Sequence, residues 1–99
     1  MKIEEKRAKL RAAAAEYVDA KRKHAETMNG RGGDPAATFA ALRVAGDKLR
    51  DAALNYTPRA AAVEYAFRSI ARAQRWKDGA EAVADAILLK LDSYREGRL

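Results

Sequence analysis

The placement of two prolines, Pro35 and Pro58, constrains the fold of this 99-residue chain more than any other feature. Each follows a residue that caps helices, as Asp34-Pro35 and Thr57-Pro58. A cap side chain accepts a hydrogen bond from an unpaired amide at the helix start, and proline at the first helical position gives up an amide that has no partner there. Ahead of the first junction runs Asn29-Gly30-Arg31-Gly32-Gly33, where glycine opens backbone conformations closed to other residues. A softer break falls at Lys77-Asp78-Gly79, with Asp78 three residues before Glu81 in an acidic variant of the capping box. Gly97 fits the C-terminal cap of a last helix. These signals predict one domain, 1–99, of four helices at about 3–28, 35–55, 58–76 and 79–96, with a Gly-rich turn at 29–34.

Nothing competes with helix. β-branched residues are scarce and alternation never lasts, whereas Ala, Arg, Lys, Glu and Leu, the best helix formers, dominate. Twenty-four residues are alanine. Burial yields roughly 25 cal/mol per Å², and alanine has little area to bury. The expected fold is therefore all-α and Ala-rich with a thin core: a small four-helix bundle or a pair of helical hairpins. A homodimer would supply burial that a monomer lacks.

Steps of three and four residues select inner faces. In the second helix they pick Phe39, Leu42, Gly46, Leu49, Ala53 and Tyr56. Gly46 costs about 1 kcal/mol against alanine, so close helix approach is its expected compensation. The third helix offers Val63, Phe67 and Ile70, with Gln74 continuing the line; the fourth offers Val83, Ala84, Ile87, Leu91 and Tyr94. In the first, Ile3, Leu10, Ala14, Tyr17 and Met28 align, but Arg7 and Lys21 interrupt them. That predicts a helix lying loosely on the bundle or burying its face in a dimer. Leu54 and Leu89 fall off the inner faces.

Several function classes are disfavoured. Without cysteine there is no disulfide framework and no thiolate metal site. No apolar run reaches the length of a membrane span, and Met1-Lys2-Ile3-Glu4-Glu5-Lys6 is no signal peptide, so a cytoplasmic protein without membrane attachment is expected. The one histidine, His24, lies beside Lys21, Arg22 and Lys23, with no Ser-His-Asp set to join. Gly30-Arg31-Gly32-Gly33 follows a helix and lacks a Lys-Ser ending, which makes it a connector rather than a phosphate cradle. His24 and Glu26, two apart, point away from each other on a helix, and Glu-x-x-His is absent. The expectation is a protein that is not an enzyme, with no metal and no cofactor, and with His24 half-buried or on the surface.

The charge distribution is more informative. Net charge is +6, and residues 58–77 hold Arg59, Arg68, Arg72, Arg75 and Lys77 against Glu64 alone. At about 100° per residue, Arg68, Arg72 and Arg75 fall opposite the apolar line, with Tyr65 and Trp76 on the same outer side. Only Glu64, four residues before Arg68, offsets their mutual repulsion. Tyr, Trp and Arg dominate interface hot spots. Tyr65, Arg68, Arg72, Arg75 and Trp76 are thus the candidate partner-binding residues, for a protein partner. The alternative partner for this face is nucleic acid, with arginines on phosphates and aromatics on bases. The Tyr56-Thr57-Pro58 junction lacks the glycine of a helix-turn-helix turn, so no DNA-reading motif supports it. A structural reading has the arginine stems covering apolar surface and Trp76 packed under a neighbouring helix. A further one makes the chain a subunit of a larger assembly held through Leu54 or Leu89. The charges of the first helix, including Lys2, Lys6, Lys9 and Lys21-Arg22-Lys23, read as structural, supported by Glu5–Lys9 and Asp19–Lys23 pairs. The bias to alanine and arginine matches the GC-rich codons of a high-GC bacterium or its phage, and the size fits a small accessory or inhibitor protein.

Overall fold

Four α-helices and one 3₁₀ turn hold most of the described residues of the computed structural model, 2–72, 74–95 and 97, and no strand occurs among them. The helices are α1 (Ile3–Met28), α2 (Pro35–Tyr56), α3 (Ala60–Arg72) and α4 (Ala80–Arg95), and the 3₁₀ turn spans Arg75–Asp78. The side chains of Arg72 and Arg75 lie outside the described residues. The all-α expectation is met, in the form of two hairpins, α1/α2 and α3/α4, packed together.

The first turn follows its local chemistry. Gly30, Gly32 and Gly33 all have positive φ, and Asp34 accepts a hydrogen bond from the Ala36 amide at 3.1 Å with Pro35 opening α2. The Thr57-Pro58 junction departs from expectation. Thr57 ends α2, its amide donating to the Ala53 carbonyl at 2.8 Å, and α3 opens only after Arg59, whose carbonyl accepts from Val63. The reason is burial: Thr57 is 2% exposed and its hydroxyl lies in the core, away from the amides it was expected to cap.

The end of α3 is also corrected. A helix running to 76 was expected, but α3 stops at Arg72, Gln74 takes a left-handed conformation (φ 51°), and the 3₁₀ turn follows. A left-handed residue just past a helix terminates it. Gly79 (φ 103°) then leads into α4, whose start was anticipated within a residue, and Gly97 has the expected positive φ with its amide on the Tyr94 carbonyl.

α1 is the central helix, not a loose one. Leu10, Ala13, Ala14 and Val18 are buried among Leu49, Ala53 and Tyr56 of α2, Val63, Ala66 and Ile70 of α3, and Val83, Ala84, Ile87, Leu88 and Leu91 of α4. Arg7 does not interrupt this face, because its guanidinium lies 5.3 Å from the centroid of the Tyr56 ring and pairs with Asp92 at 3.0 Å. Together with Arg11–Asp85, also 3.0 Å, that pair sets α1 antiparallel to α4. Ile3 and Met28, expected on the inner line, are exposed at the helix ends, and Phe39 is 51% exposed with its ring tilted against His24. Gln74 is exposed too. Gly46 does not mark a close approach: a Cβ there would meet Tyr17 Cε1 at 4.0 Å, an ordinary contact. Leu54 and Leu89 are exposed as expected.

Candidate functional site

The outer face of α3 survives in part. Tyr65 is 45% exposed and Arg68, one turn on, is exposed beside it. The position of Arg72 continues that line along the helix, while the side chains of Arg72 and Arg75 fall outside the described residues. Glu64 does not offset Arg68. It pairs with Arg50 of α2 at 3.0 Å, and the same guanidinium lies 5.1 Å from the Phe67 ring centroid. Among the described residues Arg68 is left without an ion-pair partner.

Packing of α4 on α3 adds what sequence reasoning missed. The ammonium of Lys90 stands 5.3 Å from the Tyr65 ring centroid, and a shallow hollow of about 320 Å³ is lined by Ala61, Ala62, Tyr65 and Tyr94. Lys90 likewise has no ion-pair partner among the described residues. The face is therefore an aromatic-walled depression beside two uncompensated cations. Tyr94, expected on the inner face of α4, is half-buried: it packs against the core and also lines the hollow.

Trp76 is not part of this face. The left-handed step at Gln74 breaks the helical phase on which its placement rested, and the indole packs against the core beside Tyr17, Lys21, Ile70 and Ala71. That arrangement agrees with the structural reading of Trp76 under a neighbouring helix. His24 is half-buried as expected, its Nδ1 3.0 Å from Thr38 Oγ1.

Two tyrosines are electrostatically perturbed. Burial raises the phenol of Tyr17 above its usual range, against the opposing charge of Arg50. Burial also raises Tyr56, helped by the hydrogen bond it donates to Asp92 and by that carboxylate's charge, and opposed by Arg7 and Arg95. Arg7 and Arg95 both lie within about 5 Å of the Tyr56 ring centroid, at 5.3 and 5.0 Å, which makes this a structural clasp between α1, α2 and α4. Among the described residues no group of three or more His, Cys, Asp or Glu is placed to hold a metal ion, and no helix is long and apolar enough to cross a membrane. No family model, curated protein or solved structure matches the chain.

Proposed function

We propose that this protein is a non-enzymatic binding module that engages an acidic segment of a protein partner on the α3–α4 face. The observation that carries the reading is the hollow walled by Tyr65 and Tyr94, with Arg68 and Lys90 near Tyr65 and without ion-pair partners among the described residues. Unneutralised cations beside exposed aromatic surface favour a ligand that brings carboxylates and an apolar side chain together. Nucleic acid is less well supported on this face, because Trp76, one of the two aromatics expected to stack on bases there, packs on α1 instead. A small accessory or inhibitor protein acting by occupancy is consistent with such a module.

The test compares capture from an extract of the source organism by the wild-type chain and by Tyr65→Ala with Arg68→Glu. Both changes are at exposed positions, so circular dichroism is expected to show an unchanged helix content. A partner retained by the wild type is expected to lose roughly tenfold or more in affinity for the variant. Equal retention of every partner by both proteins refutes the reading.

A further inference from the structure

Trp76 is the chain's only tryptophan, and it lines a groove on the other side of α3. The left-handed Gln74 lifts it out of helical phase and sets its half-exposed ring beside α1. The groove holds about 420 Å³ and is bounded by Lys21, His24, Gln74, Trp76 and Lys77. It adjoins a smaller chamber of about 70 Å³ that runs past Trp76 to Tyr17 and Ile70. Lys77 Nζ stands 5.7 Å from the indole centroid. His24 lines the groove with its Nδ1 turned to Thr38 Oγ1, 3.0 Å away. Among the described residues no Asp or Glu lines either space.

We infer that this groove binds a nucleotide unit, its base on the Trp76 ring and its phosphate on Lys21 and Lys77. The volume lies within the range of about 300–1,000 Å³ usual for small-ligand sites. A flat aromatic takes the π-face of any base, and nearby ammonium groups take the phosphate as point charges. An acidic peptide would satisfy the lysines but leave the indole without a planar partner. Lys77 covers the ring in the free protein, and binding exchanges that cation–π contact for a charge-assisted hydrogen bond to phosphate. The nucleotide belongs either to the free pool or to a single strand, and the chemistry of the groove is the same for both.

Because Trp76 is unique, its emission reports the site directly. The full chain is titrated at about 50 mM salt with adenosine monophosphate, with a thymidine octanucleotide and with polyglutamate. Saturable quenching by at least one of the two nucleotide probes is expected, and Lys21→Glu with Lys77→Glu is expected to weaken it roughly tenfold. Quenching by the mononucleotide assigns the groove to free nucleotides. Quenching by the octanucleotide alone, with affinity falling as salt rises, assigns it to single strands. Should the double variant lose its helical dichroism, Lys77→Gln alone, at an exposed side chain, is expected to weaken binding about threefold. The inference is overturned by no saturable response to either nucleotide probe, by binding unchanged in the folded variant, or by polyglutamate quenching as strongly as the octanucleotide.

Discussion

Gly46 and Thr57 are two residues whose side chains do not suit their places. Gly46 lies inside α2 without a positive φ, and a methyl group there would make an ordinary contact with Tyr17. Gly46→Ala is therefore expected to stabilise the chain by about 1 kcal/mol through helix propensity and a less free unfolded state. Thermal melts will show it, and a lower Tm would mean the space is needed. Thr57 is buried with no partner for its hydroxyl among the described residues, so Thr57→Val is expected to be neutral or to gain about 1 kcal/mol, measured by urea unfolding. Asp34 was legible as a cap because its bond to Ala36 is local. Thr57 carries the same local signal and misleads, because the direction of its side chain is decided by helices distant in sequence. Phe39 misleads similarly: the spacing placed it in the seam, but its ring is 51% exposed and tilts against His24 beside the turn that joins α1 to α2.

At the level of elements, α1, α2 and α4 were readable nearly to their ends because glycines, prolines and caps mark them, whereas the end of α3 carries no such mark. Ala71, Arg72 and Gln74 are all good helix formers, and the turn there goes with Trp76 lying against α1 beside Tyr17 and Lys21. This also divides the candidate site. Tyr65 and Arg68 lie within one helical turn and kept their phase, Trp76 lies past the break and lost it, and Lys90 and Tyr94 enter through the pairing of α3 with α4, which no spacing within one helix reveals. A non-glycine residue in the left-handed region costs about 1 kcal/mol or more. Gln74→Gly is expected to raise stability by up to about 1 kcal/mol, whereas in a continuous helix the same change would lower it by a similar amount. The sign of the Tm shift therefore reads the backbone at this position.

Across the whole molecule, the raised phenols of Tyr17 and Tyr56 tie the fold to alkaline pH. The unfolded chain releases these protons near pH 10 while the folded chain holds them, so the stability they confer is complete below about pH 10 and falls as pH rises through the folded values. Tyr56→Phe is expected to cost about 1–2 kcal/mol at neutral pH by removing the bond to Asp92, and to make the alkaline decline shallower; Tm followed from about pH 8 to 11 checks both. An unchanged alkaline slope in Tyr56→Phe would remove this tyrosine from the account. The same clasp shows how the helices find their alignment. Helix surfaces built of alanine are smooth, and one can slip past another by a turn with little loss of packing. Among the described residues four ion pairs join different helices at fixed heights: Arg7–Asp92 and Arg11–Asp85 between α1 and α4, Lys48–Glu16 between α2 and α1, and Arg50–Glu64 between α2 and α3. Each is partly or fully exposed and adds at most about 1 kcal/mol, too little to hold the bundle together but comparable to the difference between neighbouring alignments. Concentrated salt, which shortens the reach of charge to about 3 Å at 1 M, should therefore leave the helices helical and associated while making them less particular about which alignment they share.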